Sequence, residues 1–263
     1  MASTNIKCVQ INLHLAKGAS IILSRRVVKD NIDVSFIQEP WVAGGRIKGL
    51  STQSYKLIYN TEHERPRAAL LVHKRLRALP VPEFIFQNLV AVMVELQTAR
   101  GKQKAIFASA YFPSEMDAPP PEEVKRLARY CQLRRIQYII GCDANAHHTI
   151  WGSTDTNSKG EYLAQFIYKN NLEVINEGNK YTFVTRNRQE VLDLTLASPV
   201  IGEKIIKWHV SEEISLSDHR HICFEIQHSV EQIEVKRIPK LTGRLMWPTS
   251  GWDRKILTSL LNH

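Results

Sequence analysis

The sequence predicts an α/β protein whose strands deliver polar side chains to one rim of a β-sheet. Short apolar, β-prone runs alternate with amphipathic helical segments along most of the 263 residues. Acidic, amide, phenol and imidazole side chains follow the ends of these runs, and strand ends on one rim are where residues distant in sequence can meet. A hydrophobic fraction of 43% and a length that suits one large domain agree with a globular fold.

Local patterns predict the elements one by one. Apolar runs predict strands at Ile6–Leu13, Val34–Gln38, Tyr55–Asn60, Ala68–His73, Leu89–Leu96, Lys104–Phe112, Gln137–Gly141, Leu172–Ile175, Val191–Ala197, Ile205–Val210 and Ile222–Gln227. Helical spacing predicts Ala19–Asp30 with Ser20 as its N-cap, a helix that opens at Pro119–Glu123 and runs to about Arg135, and Gly160–Asn170. Polar or proline-containing turns between neighbouring strands favour antiparallel pairing.

The composition restricts the partners and the compartment. A formal charge of +9, from 35 Lys+Arg and 26 Asp+Glu, favours nucleic acid first and an anionic membrane surface second. The four cysteines form no CxxC pair, which predicts buried free thiols and a reducing compartment. The sequence has no secretion signal and no apolar run long enough for a membrane helix. We therefore expect a nuclear or cytoplasmic location.

The pattern changes near residue 229. Beyond Ser229 the strand periodicity is lost and prolines and glycines recur. We predict one domain at residues 1–228, and a linker or the start of a following region at 229–263. The alternative is a terminal brace that packs on the domain.

Glu39 and Asp218 are candidate metal ligands. Hard cations such as Mg²⁺ take one or two carboxylates together with water and substrate phosphate. Asn12, at the end of the first apolar run, can orient such a carboxylate by hydrogen bonding. Taken singly, Glu39 also fits a solvated loop residue, and Asn12 fits an amide that satisfies local backbone.

Asp143 and Asn145 follow the run YIIG with alternate spacing. A carboxylate there can take a proton from water, and the amide can hold that water or the phosphate. The alternative is an Asx-turn.

Asp193 lies in the apolar stretch VLDLTL, where a lone carboxylate is costly, so we predict that it pairs with His219, which can bind a phosphate. Tyr111 can donate to a phosphoryl oxygen or pack as an aromatic strand residue.

Arg186 and Arg188 lie in a polar loop just before Asp193, and we predict that they contact DNA. A solvated turn is the alternative. His147 is predicted to lie at the surface or to face DNA rather than to bind zinc, because no third convincing ligand lies in its stretch. The sequence contains neither GxxxxGK[ST] nor a GxGxxG that follows a strand, so nucleotide-binding loops have no support.

Six motifs in order resemble the exonuclease–endonuclease–phosphatase superfamily, which includes DNase I and the abasic-site endonucleases. They are QINL, QEP, AYFP, GCDAN, LDLTLAS and SDHR, from Ile11 to Arg220. Longer stretches such as QINLHLAKGAS, IQEPWVAGGRIKGL and GCDANAHHTIWGS resemble the apurinic-type endonuclease domain of jockey-like non-LTR retrotransposons. Each motif is weak alone, but six in this order are specific.

This resemblance implies a fold and an activity. The fold is a four-layer α/β sandwich of the DNase I type, with two packed mixed β-sheets flanked by helices. The activity is a nick in one strand of double-stranded DNA that leaves a 3′-hydroxyl, with a reverse transcriptase domain of a longer parent polyprotein extending that end. The implied cofactor is Mg²⁺, with Mn²⁺ as an alternative.

The resemblance also assigns roles. Glu39 and Asp218 match the metal ligands with Asn12 as their support, and Asp143 matches the residue that activates water. The other matches are Asn145, which positions that water, His219 with Asp193, which bind the scissile phosphate, and Tyr111, which touches it. One position departs from the abasic-site enzymes, which carry an acidic residue where this chain has His14. This departure puts one metal ligand in doubt and weakens an abasic-specific activity.

Three other functions remain open on the sequence alone. They are an abasic-site repair endonuclease or exonuclease, a phosphatase acting on phosphoinositides or nucleotides, and a catalytically inactive DNA-binding remnant. The charge of +9 fits DNA better than a small phosphate ester, and the intact motif set argues against decay.

Overall fold

The computed structural model describes residues 5–50, 53–98, 101–178 and 180–227. All of them lie within one compact unit, Met1–Glu231. The predicted segment 229–263 lies outside the described residues, so the domain boundary remains a prediction.

The described elements follow each other in a mixed α/β order. They are β1 (Ile6–Asn12), α1 (Lys17–Lys29), β2 (Val34–Gln38), β3 (Val42–Ala43), β4 (Arg46–Ile47), β5 (Tyr55–Ile58), β6 (Ala68–His73), β7 (Ala78–Ile85), β8 (Leu89–Thr98), β9 (Gly101–Tyr111), α2 (Glu122–Arg134), β10 (Gln137–Asp143), α3 (Ser158–Lys169), β11 (Glu173–Val174), β12 (Phe183–Val184), β13 (Gln189–Glu190), β14 (Asp193–Ala197), α4 (Pro199–Gly202), β15 (Ile205–Val210) and β16 (Ile222–Ile226). A 3₁₀ turn at Thr149–Trp151 lies between β10 and α3.

Two six-stranded sheets form the body. The first sheet has the order β15-β16-β1-β2-β6-β5, and the second has the order β11-β14-β10-β9-β8-β7. Each sheet contains one parallel pair, β1 with β2 and β9 with β10, among antiparallel neighbours. The hairpins β3–β4 and β12–β13 are separate two-stranded ribbons. Both large sheets are therefore mixed, as the resemblance implied.

Three buried apolar clusters separate four layers. Between the sheets, Phe36 and Phe107 stack with their ring centroids 6.0 Å apart. Helix α1 covers the outer face of the first sheet through residues such as Leu23. Helices α2 and α3 cover the outer face of the second sheet through Leu127 and Leu163. The predicted four-layer α/β sandwich is confirmed.

Two predicted helix starts are wrong. Helix α1 begins at Lys17, so Ser20 lies inside it, and the Ser20 hydroxyl donates to the Ala16 carbonyl at 3.2 Å. Helix α3 begins before the predicted Gly160, because the Asn157 side chain caps it by accepting the Gly160 N–H at 2.8 Å. In both cases the first turn holds too few apolar residues for periodicity to reveal it.

The sequence also failed to predict β7. Pro80 and Pro82 indicated a turn, yet both lie inside the strand Ala78–Ile85. Strand β7 is the outer strand of the second sheet, where a missing N–H removes no ladder hydrogen bond. None of the described helices has the length and apolar character that a membrane crossing requires.

Two buried glutamines tie the sheets together beside one rim. The Gln10 Nε2 group donates to the carbonyls of Cys142 and Leu194, both at 3.2 Å. The Gln38 Nε2 group donates to the Gly141 carbonyl at 2.9 Å. Strand β10 therefore lies against β1 and β2 with almost no space between them at Gly141.

We predict that Gly141→Ala lowers the free energy of unfolding by about 1–3 kcal/mol through overpacking. The added methyl group would lie 2.9 Å from both Gln10 Oε1 and Phe36 Cβ. Urea denaturation followed by circular dichroism measures the loss. Gly18→Ala in α1 is the matched control, because its methyl group meets only the exposed Leu216 side chain and alanine favours a helix. Equal losses in the two variants would contradict close packing at Gly141.

Candidate active site

Three polar residues of the second sheet are neighbours in register at one rim. Asp143 ends β10 and pairs with Tyr111 of β9 on one side and with Asp193 of β14 on the other. Directly opposed residues project to the same face of a sheet. On the first sheet, Asn12 ends β1 and Glu39 follows β2, so all five predicted residues lie at this rim.

Asn12 connects the two sheets at the rim. Its Nδ2 atom donates to Asp143 Oδ2 at 2.7 Å and to Glu39 Oε2 at 3.3 Å. Its Oδ1 atom accepts the His14 N–H at 2.7 Å, and this contact fixes the orientation of the amide. Asn12, which the sequence associates with the metal site as a support for its ligands, is thus placed to orient one carboxylate from each sheet.

Arg67 is a site residue that the sequence did not predict. Its Nη2 atom lies 3.0 Å from Glu39 Oε1 and 2.8 Å from the Tyr111 hydroxyl, and its Cζ atom lies 4.0 Å from the centroid of the Tyr111 ring. Burial, with the Glu39 carboxylate, raises the pKa of Tyr111 well above its ordinary value although Arg67 opposes this. The phenol therefore stays protonated and can donate a hydrogen bond. The sequence did not reveal Arg67, because a single arginine in a polar loop belongs to no hydrophobic pattern.

The structure contains the predicted pair of Asp193 and His219. His219 Nδ1 lies 2.8 Å from Asp193 Oδ2, both side chains are buried, and Asp143 completes a group whose ligand atoms lie within 4.8 Å. Burial alone lowers the pKa of His219, but the Asp193, Asp143 and Glu39 carboxylates outweigh burial and raise it to about 9. The imidazole is thus a cation at neutral pH with Nε2 as its second donor.

Opposing effects act on the pKa of the buried Asp143 carboxyl group. Burial is the main cause that raises its pKa, the His219 cation lowers it, the Asp193 carboxylate raises it, and the net value is about 7. Hydrogen bonds from Asn12 and from the Asn145 N–H, at 3.2 Å, act in the lowering direction. A general base is most effective when its pKa lies close to the working pH. Asp143 therefore has the properties of a proton acceptor.

Asp218 lies apart from the buried group. Its Oδ2 atom is 3.1 Å from His14 Nδ1, and both side chains are about half exposed, at 43% and 54%. Among the described residues, neither Glu39 nor Asp218 belongs to a group of three potential ligands within 4.8 Å. The two predicted metal ligands thus differ in their surroundings, because Asp218 is half exposed whereas both oxygens of Glu39 already accept hydrogen bonds, from Arg67 and from Asn12.

The hairpin β12–β13 borders the site and carries the two predicted arginines. Phe183 in β12 forms a backbone bridge with His219, and the two rings meet edge to face at 5.0 Å. Arg186 and Arg188 are exposed on the connecting turn. Arg188 Cζ lies 5.6 Å from the centroid of the Phe183 ring, which places this arginine beside the rim.

His147 does not present a free ring nitrogen. Its Nδ1 atom lies 2.7 Å from Asp155 Oδ1, and its Nε2 atom lies 2.7 Å from Arg188 Nη2. Only 14% of the side chain is exposed. The direct DNA contact that the sequence predicted for His147 is therefore not favoured by its geometry.

The sequence comparisons identify relatives among mobile elements. Residues 105–223 match the family model described as endonuclease-reverse transcriptase. The chain is 25% identical over 163 residues to the RNA-directed DNA polymerase from mobile element jockey of Drosophila funebris, which covers 60% of this chain and 16% of that protein. It is also 25% identical over 179 residues to a probable RNA-directed DNA polymerase from transposon X-element of Drosophila melanogaster, covering 67% and 19%. The chain thus spans less than a fifth of either relative.

The structural comparison agrees. The endonuclease domain of TRAS1, a telomere-specific non-LTR retrotransposon, matches with a TM-score of 0.73 and 27% identity over 85% of this chain and 99% of that domain. The chain resembles the endonuclease domain of a non-LTR retrotransposon. AP endonuclease LMAP from Leishmania major, at 13% identity and a TM-score of 0.62 over 86% of this chain and 88% of that one, shares the fold. The resemblance to the superfamily that the motifs indicated is confirmed.

From the burial of His221, next to the site, we predict how the stability of the folded chain depends on pH. It is buried, and neither ring nitrogen has a hydrogen-bond partner in the described part of the chain. Burial, with the Arg26 cation, lowers its pKa to about 3. The unfolded chain, with an ordinary histidine pKa of about 6.5, binds the proton more tightly, so stability is present above about pH 6.5 and is lost as the pH falls toward 3.

We predict that His221→Leu reduces the stability loss between about pH 7.5 and about pH 5. Urea denaturation at the two pH values measures it. His63→Leu, at an exposed position, should leave the loss as in the wild type. An unchanged pH dependence in His221→Leu would mean that another group causes the acid sensitivity.

Proposed function

We propose that this chain is a metal-dependent DNA endonuclease that cuts one strand of a duplex and leaves a 3′-hydroxyl and a 5′-phosphate. One observation carries the proposal. The Asn12 amide contacts a carboxylate of each sheet, Asp143 and Glu39, while the Asp193–His219 pair lies in the same buried group as Asp143. A base, a cation and oxygen ligands thus meet where a phosphodiester can reach them.

Glu39 and Asp218 are the residues that we assign to a divalent cation, Mg²⁺ with Mn²⁺ as the alternative. The donors fit, because both are carboxylates and Mg²⁺ is bound by one or two carboxylates plus water and substrate phosphate. Arg67 engages Glu39 Oε1, and Asn12 directs Oε2 toward the rim. When bound, the cation supplies a Lewis acid that neutralises charge on the phosphate and on the leaving oxygen.

Asp143 is the group that we assign to the attacking water. It accepts a proton from that water, and the Asn12 and Asn145 contacts aim its oxygens. Asn145 is itself held, because its Nδ2 atom donates to the Phe112 carbonyl at 3.0 Å. Positioned proton acceptors of this kind contribute about 10²–10⁴-fold to a rate.

His219 and Tyr111 are the groups that we assign to the scissile phosphate. Asp193 holds His219 Nδ1, so Nε2–H is directed away from the carboxylate and donates to a phosphoryl oxygen. Arg67 donates to the Tyr111 oxygen, so the phenolic proton is left for the phosphate. Fixed donors aimed at developing negative charge are the strongest single contribution in many enzymes.

The substrate follows from charge and from the neighbouring hairpin. A net charge of +9 and the exposed Arg186 and Arg188 favour a DNA backbone beside the cut. We further propose that the chain acts in a longer polyprotein, in the nucleus or cytoplasm, where a reverse transcriptase domain extends the new 3′-hydroxyl. Its similarity to RNA-directed DNA polymerases supports this role.

We predict that supercoiled plasmid is converted first to open circles in Mg²⁺ and stays intact in EDTA. Asp143→Asn should lower the nicking rate by at least about 10²-fold while circular dichroism remains unchanged. Asp117→Asn, an exposed carboxylate outside the site, is the matched control and should cut normally. Cutting in EDTA would refute the metal, and an active Asp143→Asn protein would refute the base. A strong preference for abasic duplex over intact duplex would favour a repair endonuclease instead.

We predict that Arg67→Gln lowers the nicking rate at saturating DNA by about 10-fold or more, because Glu39 and Tyr111 lose their common donor. Arg67→Lys should lose less, since an ammonium group keeps the charge but not the planar fork. Tyr111→Phe should cost less in the Arg67→Gln background than in the wild type. Arg77→Gln, an exposed arginine away from the rim, should be neutral. Additive losses for Arg67 and Tyr111 would contradict their coupling.

A further inference from the structure

A hydrogen-bonded chain of three residues lies beside the site. Asp155 Oδ1, His147 and Arg188 Nη2 follow each other with both links at 2.7 Å. A guanidinium only donates, so His147 Nε2 must accept from Arg188, and the ring proton lies on Nδ1 and is donated to Asp155. The arginine thus fixes the tautomer of the histidine.

This tautomer decides between two uses of the same residues. His147, Asp155 and Glu190 place potential ligand atoms within 4.8 Å of one another, a spacing that a metal ion could use. A protonated Nδ1 cannot bind a metal, however, and Arg188 Nε already lies 4.0 Å from Glu190 Oε1. The residues are arranged to hold the guanidinium of Arg188 rather than a metal ion.

Backbone packing fixes His147 in place. Its N–H donates to Asn157 Oδ1 at 3.2 Å, and its carbonyl accepts the Asn157 N–H at 3.0 Å. A Cβ at Gly160 would lie 1.8 Å from the His147 carbonyl oxygen, so α3 presses directly against this segment. These contacts fix the position of His147, so a side chain that bonds to its ring is fixed as well.

Arg188 connects this histidine to the active-site rim. Its Cζ atom lies 5.6 Å from the centroid of the Phe183 ring, and that ring meets the His219 ring at 5.0 Å. The Thr182 hydroxyl accepts the N–H of Asp193 at 3.0 Å, which ties the base of the hairpin to the partner of His219. Half of the Arg188 side chain remains exposed, so its other N–H groups can meet a ligand.

We propose that His147 and Asp155 are positioning residues that hold Arg188 at a fixed distance from His219, so that Arg188 binds a backbone phosphate of the DNA and sets where the cut falls relative to it. This inference rests on the proposed function. His147 acts through Arg188 and does not itself contact DNA. Five N–H donors in one plane allow Arg188 to bond the histidine on one edge and a phosphate on another.

The test is a double-mutant cycle on duplex binding, measured in EDTA so that no strand is cut. Arg188→Ala should lower the slope of log affinity against log salt by about 1, and His147→Ala should do nearly the same although it removes no arginine. The double variant should lose no more than Arg188→Ala alone. His147→Gln, whose carbonyl can still accept from Arg188, should recover part of the loss. Arg186→Ala, on the same turn but outside the chain of contacts, should add its loss independently to that of His147→Ala.

Two further readouts separate the possible failures. ¹⁵N NMR should show the Nδ1–H tautomer of His147 in the wild type and its loss in Arg188→Ala, without DNA. With Mg²⁺, mapped cuts should spread over neighbouring phosphates in His147→Ala and Asp155→Asn. Additive binding losses, or a wild-type melting temperature raised by Zn²⁺ through His147, would overturn the positioning role alone. A wild-type chain that binds no duplex would contradict the proposed function as well.

Discussion

Two buried glutamines that cross from one sheet to the other determine where the groups at the rim can meet. Gln10 reaches two carbonyls of the second sheet and Gln38 reaches a third. A buried amide that lost these acceptors would carry the full desolvation penalty of an unsatisfied polar group, so the sheets cannot slide without losing several hydrogen bonds together. Asn12 lies two residues beyond Gln10 on the same face of β1, and Asp143 lies two residues beyond Gly141 on the same face of β10. The contacts between the sheets therefore place Asn12 Nδ2 2.7 Å from Asp143.

This strand register brings several carboxylates together in a buried site. The neighbouring hydrogen-bond donors and charges then determine the pKa values of these groups. Burial pushes the pKa of Asp143 up to about 7, while the His219 cation, whose pKa is about 9, limits the rise. A carboxyl group that can accept a proton and an imidazolium cation therefore coexist near neutral pH. Arg67 forms an ion pair with the partly buried Glu39. Without such a partner, burial of this carboxylate would cost free energy. The charged groups at the rim thus compensate one another, and none of these buried or partly buried carboxylates lacks a partner.

Local patterns predicted most of the fold and the centre of the site. Apolar runs mark strand ends, and the register of Asp143 with Asp193 confirms that the marked ends converge. Arg67 and Asp155 gave no such signal, because each lies in a polar loop and its partners are distant in sequence. Strand β7 was missed because tolerance of proline depends on the edge position of the strand in the sheet, and the segment itself does not reveal that position.

Different interactions hold the centre of the site and the hairpin beside it. Strand register positions Asp143, whereas the short ribbon β12–β13 is held to the rim by backbone bonds, such as the Val184 N–H to the Asp218 carbonyl at 2.7 Å, and by side-chain contacts of Phe183 and Arg188. A methyl group added at Gly141 would meet Gln10 and Phe36 of the first sheet, whereas the exposed Arg186 on the hairpin turn lies outside the contacts between the sheets. An AP endonuclease at 13% identity shares the fold, so very different sequences can form this sandwich. A scaffold built in this way can acquire a new target preference through its loops while the geometry around Asp143 stays intact.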